Sequence, residues 1–420
     1  MFNTLQSQRI IRRLLRRTFK RNASSPTTVE IRTCNLSQSG DLHLECGETI
    51  PSERLDVTYS IFGKPGKPII LLCPSMSNDA HAIDSESSKG WWRSVVGYGK
   101  HFGIDLSSYQ IVCPVPLGSP FGSLSPLHWK QGSFPQITTT DMATLHNRLL
   151  DHLNIERVHA VVGGSMGGTT SLHRVYSNDL KNELTNQQTG MQALQFACMF
   201  PERFVRCVAI ASTGKTTPGT VALRSVQRSA IELDPEFVSG NYAEENKFPR
   251  KGLGLARKIG TINYRSRTEF DARFDSTFDE SANSFEVERY LNHQAEKFTY
   301  YDPNCYLLLS KAMDLHDVDG LHETSSSIRA PPKDREVCLL PYDTDVLMPP
   351  AESLSLSKKW SKAGVRLYTE VLTSKNGHDA FLIQSEAPVL NSRLSSFLSG
   401  GVDSVTEVFN RTVRDVDMGL

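Results

Sequence analysis

The stretch Val158-His159-Ala160-Val161-Val162-Gly163-Gly164-Ser165-Met166-Gly167-Gly168 decides how the rest of the chain is read. Its first half is a short apolar run of the kind that forms a strand covered on both faces, and its second half is a G-x-S-x-G. A strand that turns tightly into a helix leaves no room for a Cβ beside the turning residue. Glycines therefore flank the serine, and its hydroxyl stands out at the tip. A G-x-S-x-G by itself is often only a turn; its place directly after a strand makes Ser165 a candidate nucleophile.

A serine hydroxyl is a weak nucleophile at neutral pH and needs a base that is itself held by a carboxylate. With the serine at a strand-to-helix elbow, the partners follow in the order acid, then histidine, on loops after late strands. Val337-Cys338-Leu339-Leu340 reads as one such strand, and its loop offers two acids, Asp343 and Asp345. A second strand, 365–371, runs into Gly377-His378-Asp379, which makes His378 the candidate base. The developing oxyanion needs two N–H donors. Met166 follows the nucleophile, and Met76 lies in the loop after the apolar run Ile69-Ile70-Leu71-Leu72-Cys73.

Further out, 109–113 reads as a strand, and Met142, Leu145, Leu149, Leu150 and Leu153 recur at helical spacing. A helix is also expected over 351–362. Strand and helix alternate, which predicts a mostly parallel sheet. The character changes over 216–329, where charged, aromatic-bearing helical sequence carries no strand-like run. The expected organisation is an N-terminal segment 1–29, a first core part 30–215, a helical lid 216–329 and a second core part 330–420.

Lysine plus arginine and aspartate plus glutamate balance at 46 each in 420 residues, so no global field argues for nucleic acid or a membrane as partner. The N-terminus is the exception. No acidic residue precedes Glu30, while Arg9, Arg12, Arg13, Arg16, Arg17, Lys20 and Arg21 stand among Ile11, Leu14, Leu15 and Phe19. Such an amphipathic, acid-free segment reads as a mitochondrial presequence, predicting the matrix, with the cytoplasm as the alternative. No apolar run approaches the ~20 residues that span a bilayer. The eight cysteines lack CxxC pairs and read as reduced, mostly buried thiols, with no metal site expected.

From about residue 60 to 397 the chain resembles the homoserine/serine O-acyltransferases of the α/β-hydrolase superfamily. The resemblance rests on Asp79-Ala80-His81, Gly90-Trp91-Trp92, Leu117-Gly118-Ser119, the elbow, Met191-Gln192-Ala193-Leu194, Gly252 to Arg257, Phe285 to Phe298, Ala312-Met313-Asp314-Leu315, Asp345-Val346-Leu347 and Gly377 to Phe381. It implies an α/β-hydrolase fold with an inserted helical lid, selects Asp345 over Asp343 as the triad acid, and gives Arg257 and Asp379 the amino-acid acceptor. Those charges suit the task, because a guanidinium can clamp an α-carboxylate and a carboxylate can pair with an α-ammonium. The implied reaction moves an acetyl group from acetyl-CoA to an amino-acid hydroxyl through an acyl-serine, with no cofactor. L-Serine, in cysteine biosynthesis, is the first expectation for the acceptor and L-homoserine, in methionine biosynthesis, the second. A serine ester hydrolase is a third reading. The resemblance also implies a homodimer built through the lid.

One departure stands out. The motif expected to run on from Gly168 resumes only at Met191, after the polar segment 169–190. Removing that segment restores Gly167-Gly168-Met191-Gln192-Ala193, so it reads as a retained intron in the gene, against a native loop as the competing expectation.

Overall fold

The structure, a computed structural model, describes residues 29–76, 78–85, 89–129, 133–164, 190–318, 331 and 334–400. Eight strands build the central sheet: β1 Glu30–Asn35, β2 Asp56–Gly63, β3 Ile69–Cys73, β4 Gln110–Pro114, β5 Val158–Gly164, β6 Phe204–Ile210, β7 Glu336–Leu340 and β8 Arg366–Thr369. Their order across the sheet is β1-β2-β4-β3-β5-β6-β7-β8. Strand β2 runs antiparallel to both neighbours, and every pairing from β4 to β8 is parallel. The predicted strands at 69–73, 109–113 and 337–340 fall within a residue of these bounds.

Alternation along the central strands divides the core into two faces. Leu71, Val161, Cys207 and Leu339 point to one face, where they meet helix α1 (Thr139–His152), helix α2 (Gly190–Met199) and Trp360. Ile70, Leu72, Val162, Ile210 and Leu340 point to the other, against Trp92, Phe397 and Leu394. Both faces are covered, which is why β3 and most of β7 read as continuous apolar runs. Helix α1 starts at a capping box in which Thr138 and Asp141 satisfy one another's backbone N–H groups.

Between β6 and β7 the chain forms α3 (Pro218–Glu232), α4 (Arg250–Tyr264), α5 (Arg267–Arg273), α6 (Glu286–Phe298) and α7 (Pro303–Asp314). The sequence suggested helices alone here. The structure adds a two-stranded hairpin, Phe278–Asp279 with Ser284–Phe285, too short to leave a strand signature. After β7 come α8 (Pro350–Lys362) and α9 (Ala387–Ser399). Residues 1–28 of the expected presequence, the expected elbow residues Ser165 and Met166, and the segment 169–190 up to Thr189 lie outside the described residues.

All eight cysteines are free thiols: six are buried, Cys34 is half-buried and Cys46 is exposed.

Candidate active site

Two loops at the C-terminal ends of β7 and β8 bring the predicted acid and base together. His378 Nδ1 and Asp345 Oδ2 are 2.5 Å apart, and both side chains are fully withdrawn from solvent. The second carboxylate oxygen of Asp345 accepts the backbone N–H groups of Leu347 at 2.9 Å and Met348 at 2.8 Å. Three donors thus fix the carboxylate, and the carboxylate fixes which edge of the imidazole faces it. The His378 ring is flanked by Tyr264 and Phe381, with centroids 6.4 and 6.2 Å away.

Asp343, the other acid of the same loop, has a different task. Its Oδ1 accepts the N–H of Ser374 at 3.0 Å. Thr344 completes the brace: its hydroxyl donates to the Ser374 carbonyl at 2.6 Å and accepts the Gly377 N–H at 3.0 Å. The acid loop is therefore sewn to the base loop one residue before His378. Gly377 itself has φ +68, and a Cβ there would lie 2.6 Å from the backbone nitrogen of Ser266. The inserted helices press this close to the base loop.

Met76, after β3, is buried, and its carbonyl accepts the hydroxyl of Tyr301 at 2.7 Å. Tyr301 stacks on Phe298 with ring centroids 5.1 Å apart. The Arg257 guanidinium lies over Phe298 at 5.3 Å and over Tyr264 at 5.6 Å, and Arg257 is 3% exposed. Loop and inserted helices thus share one wall.

Asp379 is buried beside His378 and forms an ion pair with Arg265 Nε at 3.2 Å. Arg265 in turn approaches Glu269 at 3.7 Å, and Glu269 meets Arg273 at 3.3 Å. The sequence reading missed Arg265, Tyr264 and Tyr301. Tyr264 ends the helix that carries Arg257, seven residues or two helical turns beyond it, and Arg265 directly follows. That spacing on one helix face was the available signal. Burial raises the Tyr264 phenol above its ordinary range, while the charges of Arg257 and Arg224 and a hydrogen bond from Gln227 pull the other way.

Chemically, a buried imidazole paired with a fixed carboxylate is a proton acceptor held in one tautomer. Next to it are a guanidinium wall and a carboxylate, the two charges a zwitterionic amino acid requires.

No protein-family model matches the chain. Its relatives include the homoserine O-acetyltransferase of Geotalea daltonii, 35% identical over 370 residues, 82% of this chain and 92% of the relative. They also include the homoserine O-succinyltransferase of Litchfieldella anticariensis, 33% identical over 365 residues, 81% of this chain and 86% of the relative. Among solved structures, the homoserine O-acetyltransferase of Bacillus anthracis superposes with a TM-score of 0.72 at 22% identity, covering 89% of this chain and 98% of that one, and shows the same α/β-hydrolase fold. With this fold, and with sequence likeness running through most of its length, the chain is an acyltransferase and belongs to the homoserine O-acyltransferase family.

Proposed function

We propose that the protein transfers an acetyl group from acetyl-CoA to the side-chain hydroxyl of L-homoserine, through an acyl-enzyme on Ser165. The observation that carries the reading is the buried His378–Asp345 pair, held between two braced loops, in a chain whose relatives act on homoserine. The relatives favour homoserine over the serine first expected from the sequence.

In this reading Ser165 Oγ attacks the thioester carbonyl as His378 takes its proton, and the Met76 and Met166 N–H groups receive the oxyanion. The C–S bond breaks, CoA leaves with the proton from His378, and an ester on Ser165 remains. The homoserine hydroxyl then gives its proton to His378 and attacks that ester; the product departs and Ser165 is reprotonated. Arg257 and Asp379 hold the acceptor's carboxylate and ammonium. Exposed Leu255 and Ile262, two turns apart on α4, support a homodimer through the inserted helices, and residues 1–29 support a mitochondrial location.

The test is CoA thiol release from acetyl-CoA with L-homoserine, L-serine or no acceptor, by the chain with and without 169–190. Release that depends on L-homoserine is expected. Dependence on L-serine would move the acceptor, and equal release without either would mean hydrolysis. Release by the shortened form alone would support the intron reading of 169–190.

A further inference from the structure

Helix α3 buries a polar face. Its buried residues, Thr220, Arg224, Gln227 and Ile231, follow one another at helical spacing of three and four. Thr220 donates its hydroxyl to the carbonyl of Leu347 at 2.9 Å, on the loop that carries Asp345. Gln227, two turns on, donates to the Ala256 carbonyl at 3.3 Å and reaches the Tyr264 hydroxyl. Arg224 sits between these two anchors, so it faces the space between the acid loop and the Arg257–Tyr264 wall.

Arg224 is 4% exposed. Its Nη1 donates to Asp314 Oδ1 at 3.2 Å, but its Nη2 has no hydrogen-bond partner among the described residues. Asp314 is shared, since Arg228 pairs with its other oxygen at 2.7 Å. Around the Tyr264 and Tyr306 phenols the charges of Arg257, Arg224 and Arg228 act together, with Asp314 on the last two. A buried guanidinium with an unused donor is costly unless an anion arrives.

We propose that Arg224 is a second guanidinium of the acceptor site, whose Nη2 binds the α-carboxylate of the amino acid alongside Arg257 while Asp314 holds Nη1 in place. The assignment rests on the acyltransferase reading above. It makes α3 part of the acceptor pocket and the Arg224–Asp314 pair the element that sets its depth. An acceptor without a carboxylate forfeits both guanidiniums.

The experiment compares kcat/KM for L-homoserine and for 3-aminopropan-1-ol, the same molecule lacking the carboxylate, with acetyl-CoA and the full chain. The wild type should prefer L-homoserine. In Arg224→Gln that preference should shrink at least about tenfold, mainly through KM for L-homoserine, the size expected for one charge-assisted hydrogen bond. Arg224→Lys, which keeps a charge and most of the packing, should fall between. A structural role alone would lower both acceptors equally; an unchanged ratio in both variants would overturn the proposal and leave the acyltransferase reading standing. Equal CoA release by the wild type without any acceptor would remove that reading and this assignment with it.

Discussion

The carboxylate of Asp379 lies 3.2 Å from Nε of Arg265, and both side chains are 2% exposed. The residue next to the base is thereby tied to the first residue after α4. A buried ion pair is weak evidence for net stability, but breaking one side is expensive because the other charge stays behind in low dielectric. Arg265→Met is therefore expected to cost about 3–5 kcal/mol by chemical denaturation. The double change Arg265→Met with Asp379→Leu should recover a substantial part, and a double variant as unstable as the single one would contradict this account.

Asp345 and Asp343 are two residues apart, yet the structure predicts unequal effects. Asp345→Asn keeps an oxygen for the Leu347 and Met348 N–H groups but presents N–H to Nδ1 of His378, forcing the wrong tautomer. A loss of about 10⁴ in kcat is expected, with thermal stability little changed. Asp343→Asn keeps its Oδ1 as an acceptor for the Ser374 N–H and should cost less than about tenfold. Pre-steady-state release of CoA would separate the two.

Gly377 cannot carry a side chain. Its φ of +68 and the 2.6 Å approach to the Ser266 nitrogen mean that Gly377→Ala must move backbone. A shift of about 1 Å at His378 is enough to cost about 10²-fold in turnover. Normal kcat in this variant would show that the base loop tolerates displacement.

Two buried histidines predict acid sensitivity. Burial pulls His146 down to about 3 and His316 down to about 4, from 6.5. The folded state holds these rings neutral, so their contribution is intact above about pH 6.5 and is lost as pH falls toward 3–4, where the unfolded chain takes up protons and the native one does not. For His316 alone this amounts to about 3 kcal/mol. Neither ring nitrogen of His146 has a hydrogen-bond partner among the described residues. His146→Leu should therefore flatten the pH dependence of the urea midpoint and leave stability at pH 7.5 equal or higher.

The central strands were legible because both faces are covered, so β3 is apolar throughout and β5 and β7 carry the apolar stretches Ala160-Val161-Val162 and Val337-Cys338-Leu339-Leu340. Strand β6 was not, because Arg206 sits inside it, paired with Glu336 at 2.9 Å. Strand β1 escaped for the opposite reason: it is an edge strand, and five of its six residues are exposed. At the site, chain order pointed to His378, and family likeness chose Asp345 over Asp343. Arg265, Arg224 and Tyr301 stayed hidden because helical charges and tyrosines usually face water. Only the packing of the inserted helices shows which of them turn inward.

The burial of six thiols has a practical corollary for the assay that follows CoA. Burial raises the Cys73, Cys113, Cys198, Cys207, Cys305 and Cys338 groups well out of the range where thiolate forms, and half-buried Cys34 is pushed up to about 11. A disulfide reagent added to the native protein should thus count chiefly Cys46, leaving a low and steady background against which liberated CoA is read. The same reagent in denaturant should count eight, so one chromophore can report both turnover and loss of the fold.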